Sequence, residues 1–541
     1  MQAFIRNNTN LFIIFLLCAG AVMRLYNLDW GAPFYFHPDE RNIASLLSSN
    51  TLTPSVFFKS TFSYGNFPVL VLLFLKPLFT PILLFISLDP FAHATIMLRL
   101  LSATLSILLL VVIYHIGKLF SKTIGIIALF LATFSVGFIH QAHFGTFDGF
   151  ITFWLTLTCY LLLLFLKHKH IRFYYYAIFS LVIAAGAKFN VLIIMPLLLI
   201  GLPMVYKPWK HYVKQIILHA TTGCLIAAAG TLLLSPYYTT KDFLSLATYE
   251  RGVVTGTLPV FYTQAFAATT PIFYQFTSIL PFLINPLVTI LFVFSLVYFV
   301  IKVIRTKDPK IFFLLAFLLF LFLPQSFLYT KWTRYIIPVL PFLYLIVAIS
   351  INDLWKFLHK RYKLTTLSAK LSLGILGAVC FLFAFSYVAT TFGTKDTRVS
   401  AAEWAAKNIP QNAIIVSEAY DPGTTPFTTR FPHMTFFNFY DLETNNYTDD
   451  GKNLVDLLHE SDYIILPSQR VLQSRLANPK AFPKGNSFYI SLLNGTSGYK
   501  KIYETPCNLV CKITYLNDPV SRFEQTASVF ERPTVMIFKK M

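Results

Sequence analysis

The sequence predicts an α-helical, multi-pass membrane protein with a soluble α/β domain at its C-terminus. Three observations carry that expectation. The 541-residue chain is 56% hydrophobic and 17% aromatic but only 13% charged, against roughly 25% charged residues in soluble domains. Apolar runs close to spanning length recur from Asn10 to about Thr391, separated by short polar breaks. Beyond Thr391 the apolar runs shrink to strand length. A formal charge of +20 could suggest nucleic acid. That class is rejected because the basic residues fall in short clusters between apolar runs, as in cytoplasmic loops.

The elements follow in order. The tail carries Arg6 and is placed in the cytoplasm. The first span runs from about Asn10 to Tyr26; it has no clear small-residue cleavage site, and more spans follow, so it is not an ordinary cleaved signal. Residues 27–66 form a first outer loop. Basic clusters at Lys118–Lys122, Lys167–Arg172, Lys207–Lys214, Lys302–Lys310 and Lys356–Lys363 are all expected on the cytoplasmic side. Outer turns then fall near Phe144–Gly149, Lys188–Asn190, Pro236–Pro271, Tyr329–Arg334 and everything past Thr391. The segment Asn66–Pro90 would upset this alternation as a full span, putting Asp148 and the C-terminal region in the cytoplasm. It holds Lys76-Pro77 and Thr80-Pro81 at its middle, and proline removes a helical hydrogen bond and clashes with the preceding turn. A re-entrant or interfacial segment that enters and leaves on the outer face is expected there. The count is then about eleven transmembrane helices plus re-entrant or juxtamembrane helices.

Two domains are expected: a transmembrane domain over 1–390, with a second long outer loop at 236–275, and an extracytoplasmic α/β domain over 391–541. Within the latter, Ala413–Ser417, Tyr463–Leu466, Phe488–Leu492 and Thr534–Phe538 read as strands. Ser400–Asn408 reads as a helix with Ser400 as N-cap and Glu403 three residues on. Cys18, Cys159, Cys224 and Cys380 lie in apolar spans as small core residues. Cys507 and Cys511 could pair as a disulfide in an oxidising compartment; a metal site there would need further ligands, and none stands nearby. Asn446 and Asn494 sit in N-x-T sequons. Compact loops and the appended domain point to a bacterial plasma membrane.

Acidic residues are scarce, 24 against 44 basic ones, so their positions are informative. Phe36-His37-Pro38-Asp39-Glu40 sets two carboxylates at a membrane boundary, where burial without a partner costs several kcal/mol. Asp148 begins a span in His143-Phe144-Gly145-Thr146-Phe147-Asp148. Lys188 lies between two short apolar runs. Lys331 and Arg334 lie in Lys331-Trp332-Thr333-Arg334-Tyr335, before Pro338 and Pro341. All fall at or near outer ends of spans, which suggests one site for an anionic substrate and a proton transfer. Each has a plainer reading. Lys331 and Arg334 could anchor at the interface beside Trp332 and Tyr335, Lys188 could snorkel, Asp148 could cap its helix, and Glu40 could pair with Arg41. Arg99, near the start of a span, could bind phosphate or lipid headgroups. His37 and His143 lack metal-ligand spacing and read as polar lining.

Taken in order, His37-Pro38-Asp39-Glu40 after the first span, Asp148 at a later outer end, and Arg334-Tyr335-x-x-Pro338-x-x-Pro341 near a late span resemble the GT-C glycosyltransferases. The nearest branch is that of the protein O-mannosyltransferases and the lipid A aminoarabinose transferase, over roughly residues 1–390. Glu403-Trp404 and Phe530-Glu531-Arg532-Pro533-Thr534-Val535 are similar to the soluble domains appended to many bacterial members. One departure stands out. The aminoarabinose transferases carry Glu-Lys-Pro before the segment that here begins Gly65-Asn66-Phe67-Pro68. Without that lysine, the donor-phosphate contact there, and that substrate, lack support from the resemblance.

The resemblance implies transfer of a sugar from a polyprenyl-phosphate carrier to a protein, lipid or polysaccharide acceptor on the outer face of the membrane. Asp39, Glu40 and Asp148 fall on its catalytic positions. Lys188, Lys331, Arg334 and also Arg99 are expected to hold the donor phosphate, with His37, His143 and Tyr335 lining the substrate. A general base at Asp39 would take the acceptor's proton during inverting attack on C1, while fixed cations stabilise the departing phosphate. Glu40 would support Asp39, and Asp148 would orient substrate or tune Asp39. No nucleotide-binding motif and no D-x-D pair is visible, so neither cofactor nor metal is expected. The alternatives are an oligosaccharyltransferase or glycan ligase of similar architecture and, in another class, a secondary transporter. The transporter is disfavoured because no related halves are visible and the charges sit at outer ends rather than at the midplane.

Overall fold

In the computed structural model, residues 2–60, 63–84, 89–258, 260–362, 366–418, 424–443, 453–518 and 523–541 are described. Helices run along the chain as α1 (Gln2–Leu25), α2 (Pro38–Ser49), α3 (Phe67–Leu83), α4 (Pro90–Lys118), α5 (Lys122–Thr133), α6 (Val136–Ala142), α7 (Phe147–His168) and α8 (Ile171–Ala185). They continue as α9 (Met195–Val205), α10 (Val213–Leu234), α11 (Lys241–Thr255), α12 (Leu280–Ile284), α13 (Pro286–Thr306), α14 (Pro309–Phe327), α15 (Leu340–Tyr362), α16 (Thr366–Thr391) and α17 (Thr397–Asn408).

This is a multi-pass membrane protein. Among the described residues seven helical stretches are long and apolar enough to cross a membrane, and α5 with α6, bent by 58°, makes an eighth. Shorter apolar helices lie at Thr9–Leu25, Phe67–Pro81, Ile171–Ala185, Phe189–Val205 and Gln275–Ile284. The helix starts are written in the sequence. Asp89, Asn285 and Asp308 each cap a following backbone N–H, and each precedes a proline at the first helical position. Helix α7 carries Asp148 in its first turn and Lys167 and His168 in its last; at 1.5 Å per residue these ends lie about 30 Å apart, one hydrocarbon thickness. Helices α4 and α15 also end in basic residues.

The segment expected to be re-entrant or interfacial is not broken at its prolines. It forms one helix, α3, that runs through both Pro77 and Pro81; residues 85–88 lie outside the described residues. Each proline removes one backbone hydrogen bond from the helix interior. Lys76 instead anchors the helix by donating to the carbonyls of Leu47, Ser48 and Asn50 at 2.9–3.1 Å. That caps the C-terminal end of α2 with a cation.

Beyond α17 a five-stranded sheet has the order β2-β1-β3-β5-β4. The strands are β1 (Ile415–Glu418), β2 (Met434–Phe437), β3 (Tyr463–Leu466), β4 (Tyr499–Glu504) and β5 (Met536–Lys540). Strand β1 pairs parallel with β2 and β3, while β5 runs antiparallel to β3 and β4. Short helices α18 (Thr425–Thr428), α19 (Leu454–Glu460), α20 (Arg470–Ala477), α21 (Pro483–Leu493) and α22 (Leu509–Thr514) connect them. Phe488–Leu492, expected as a strand, lies in α21. Its buried Tyr489 and Leu492 are three residues apart, a helical spacing. Helix α17 starts earlier than expected, because Asp396 rather than Ser400 is its cap. Cys507 and Cys511 form a disulfide. Asn446 lies outside the described residues.

This region packs directly on the helices. Phe523 and Tyr515 lie 5.2 and 6.1 Å from the Phe282 ring. The Thr514 hydroxyl donates to Ser386 at 3.0 Å.

Candidate functional site

Residues 37–40 form a helix start. Pro38 occupies the first turn of α2 and His37 Nδ1 accepts from the Glu40 N–H at 3.4 Å. Asp39 and Glu40 therefore sit where the backbone dipole favours negative charge. From there they part. Glu40 turns inward: Arg99 binds it through two nitrogens, at 2.8 and 2.6 Å, and the Gly145 N–H donates to it at 2.7 Å. The expected partner Arg41 instead donates to the Phe34 carbonyl. Only glycine suits position 145, since a Cβ there would stand 2.6 Å from Leu98 Cβ and 3.1 Å from the Glu40 carboxylate. The Arg99 guanidinium also donates to the Leu28 and Trp30 carbonyls at 2.8 Å and is fully buried. Arg99 thus braces the loop between α1 and α2, with its guanidinium enclosed by these partners. Removing one partner from such a pair costs about 3–5 kcal/mol. Arg99→Met is therefore expected to lower the thermal unfolding midpoint of the detergent-solubilised protein sharply; a midpoint near that of the wild type would contradict the bracing role.

Asp39 turns the other way, into a cavity of about 300 Å³. There the Arg334 guanidinium, 295 positions further on, donates to its carboxylate, and both side chains keep about a fifth of their surface open. Burial raises the Asp39 pKa, but Arg334 and then His37 outweigh it, leaving the carboxyl below its ordinary value. Arg334 is stacked near Trp332 and Tyr335, its guanidinium carbon 4.8 and 5.8 Å from their rings. It also lines a second cavity of about 130 Å³ with Asp148, Lys188 and Tyr335. Lys188 donates to Asp148 at 2.6 Å and lies 4.6 Å from the centre of the Tyr64 ring; Tyr64 faces the larger cavity. The cap of α7 is Thr146, and Asp148 is inside the helix.

The loop carrying Lys188 is fixed by close backbone approach. A Cβ on Gly65 would fall 2.1 Å from the Gly186 carbonyl oxygen, and the Gly65 N–H donates to Ala187 at 2.8 Å. Asn66 then ties down the segment before α3 by donating to the Val56, Phe57 and Lys59 carbonyls at 2.8–3.1 Å.

The structure thus brings Asp39, His37 and Arg334 together in one cavity, with Asp148, Lys188 and Tyr335 around the adjoining one. It does not bring His143 or Lys331 into either. His143 is fully buried, bonded to the Ile139 and Tyr26 carbonyls at 2.8 Å and stacked on Phe392 at 3.7 Å. Lys331 folds back onto the Tyr329 carbonyl at 3.1 Å.

Other lining residues escape the sequence reading. Glu250 on α11 faces the larger cavity, and its pKa is raised by burial, only partly offset by Arg334. Its signal was a carboxylate in a long outer loop of an acid-poor chain. His140, Arg470, Gln525 and Phe530 face the same space. Among the described residues no group of three His, Cys, Asp or Glu side chains is placed to hold a metal ion. Chemically, the site offers carboxylates that can take a proton and cations that can meet an anionic leaving group.

Over residues 75–234 the chain matches the family model for dolichyl-phosphate-mannose-protein mannosyltransferases. That segment includes Arg99, Asp148 and Lys188 but neither Asp39 nor Arg334. The fold is similar to that of the Archaeoglobus fulgidus oligosaccharyltransferase. Its apo form aligns with a TM-score of 0.52 at 13% identity, covering 98% of this chain and 88% of that one. Its complex with an inhibitory peptide and a dolichol-phosphate aligns at 0.50 and 11%, covering 98% and 89%. No curated sequence matches the chain. The family match and the shared architecture bear out the resemblance to GT-C glycosyltransferases and indicate an enzyme of that type.

Proposed function

We propose that this chain, a membrane glycosyltransferase of GT-C architecture, transfers a sugar from a polyprenyl-phosphate donor to an acceptor on the outer face of a bacterial plasma membrane. The single observation that carries the mechanism is the meeting of Asp39 and Arg334 in one cavity across 295 positions of chain. In the resting site Arg334 is matched by Asp39 and Lys188 by Asp148. An arriving lipid phosphate competes for those cations. As Arg334 turns to the phosphate, Asp39 loses the partner that holds its basicity down and becomes the general base. The acceptor oxygen or nitrogen forms its bond to C1 from the face opposite the phosphate, its proton passes to Asp39, and the C1–O bond breaks with both electrons going to the phosphate. Arg334 and Lys188 stabilise the charge that develops there. Asp148 returns Lys188 to its resting position afterwards. No metal enters this scheme; loss of transfer on chelation, restored by a divalent ion, would overturn that part of it.

Two further observations support the reading. The archaeal enzyme of similar fold was captured with a dolichol-phosphate and, in another structure, with a tethered acceptor peptide. The cavity volume of about 300 Å³ lies at the small end of ligand sites, which favours a single sugar over a preassembled chain. The test is to incubate purified protein with a panel of polyprenyl-phosphate sugars and measure release of free polyprenyl phosphate and the mass added to the acceptor. Gain of one sugar supports the reading, gain of a whole chain favours an oligosaccharyltransferase or ligase, and no release from any donor refutes both.

A further inference from the structure

The residues just before the last strand are built into the reaction cavity. Glu524, 2% exposed, accepts from the Thr333 hydroxyl at 2.6 Å and from the Thr333 N–H at 3.2 Å. Its own N–H donates to the Ser278 carbonyl at 3.2 Å. Seven residues on, Glu531 pairs with His140 of α6 and accepts from the Tyr387 hydroxyl at 2.8 Å. Between the two glutamates, Thr526–Glu531 winds as a π-helical turn, a form frequent at functional sites. Phe530 lies 4.8 Å from the His37 ring. Arg398, 3.8 Å over the Phe36 ring, donates to the Phe530 carbonyl at 3.0 Å. One segment therefore touches the first outer loop, α6 and the turn that carries Arg334.

We propose that Glu524 is a positioning residue for Arg334, which makes the C-terminal region part of the lipid-phosphate site. Thr333 immediately precedes Arg334 in a short helical turn. Fixing both the amide and the hydroxyl of Thr333 to a buried carboxylate sets the direction from which the guanidinium enters the cavity. Two hydrogen bonds from one residue to a buried carboxylate hold such a turn, and a guanidinium depends on its angle of approach more than a point charge does. Deleting Glu524 leaves Arg334 charged but free to wander from its aim.

This inference rests on the reading that Arg334 meets the donor phosphate, and the test separates the two. Purified full-length protein is titrated with undecaprenyl phosphate and Kd is measured for wild type, Glu524→Ala, Glu524→Gln and Thr333→Val. Glu524→Ala is expected to weaken binding about tenfold, while Glu524→Gln, which still accepts from Thr333, stays within about twofold. Thr333→Val, which removes only the hydroxyl bond, is expected to weaken binding about threefold and carries the test if the alanine variant does not fold. In an Arg334→Lys background, Glu524→Ala should add no more than about twofold, because both changes act through one group. Unchanged binding in Glu524→Ala, or equal losses on both backgrounds, would overturn the positioning role. A wild type that does not bind undecaprenyl phosphate would instead refute the lipid-phosphate reading beneath it.

Discussion

Asp39→Asn is expected to leave the protein folded and inserted, to lower sugar transfer by about 10²–10⁴-fold, and at the same time to bind polyprenyl phosphate about two- to fivefold more tightly. The opposite signs are what make this variant informative. A positioned base contributes through the transition state, so an amide in its place slows the chemistry without disturbing the fold around it. The Asp39–Arg334 pair, however, is also a resting-state competitor of the donor phosphate. Removing the carboxylate frees Arg334, and the partly open setting of the pair limits that gain to the range of exposed ion pairs. Transfer and donor binding measured on the same preparation check both parts. Near-normal transfer would remove Asp39 from the role of base, and weaker donor binding would show that Asp39 helps to hold the donor. The sign of the pH dependence follows from the lowered pKa of Asp39. Its stabilising share is fully present above the ordinary aspartate value and is lost as pH falls through the depressed one.

The charged core of this site is legible in the sequence because charge is scarce there. In a chain with 24 acidic residues, Asp39 and Asp148 at span ends are conspicuous, and so are Lys188 and Arg334. Burial is not legible in the same way. Arg99 reads as a phosphate binder and His143 as lining until the structure shows Arg99 sealed onto Glu40 and His143 closed between two carbonyls. Nor can local pattern reveal that Glu524 and Glu531 reach back over 191 and 391 positions to Thr333 and His140. Phe530-Glu531-Arg532 is visible as a family likeness only; its place in the cavity wall depends on tertiary structure.

The sheet divides on the same principle. Inner strands β1, β3 and β5 carry short runs that are apolar enough to read as strands, since both their faces find cover. Edge strand β4 does not: half of Tyr499–Glu504 is charged and half is exposed to solvent, as edges that resist mispairing tend to be. The unbroken course of α3 through its prolines is illegible for a different reason. Proline rules describe what a helix loses, whereas the anchoring of Lys76 on the end of α2 comes from a neighbour that the local sequence does not reveal.

Arg334→Ala is expected to lower kcat/KM for the lipid-linked donor by about 10²–10³-fold, the range for removing a donor aimed at developing charge. The guanidinium stands where the two cavities meet, so it can face Asp39 on one side and reach toward Lys188 on the other. Arg334→Lys should fall between wild type and alanine, since the charge survives while the planar fork and its stacking on Trp332 are lost. The alanine variant also moves the base. With Arg334 gone, the remaining burial pushes the Asp39 pKa upward, so the acid limb of kcat/KM, which reports the free enzyme, should shift to higher pH. A lipid anchor at the membrane surface would produce neither result: transfer within about tenfold of wild type, with an unmoved acid limb, would show that Arg334 faces lipid headgroups rather than the sugar donor.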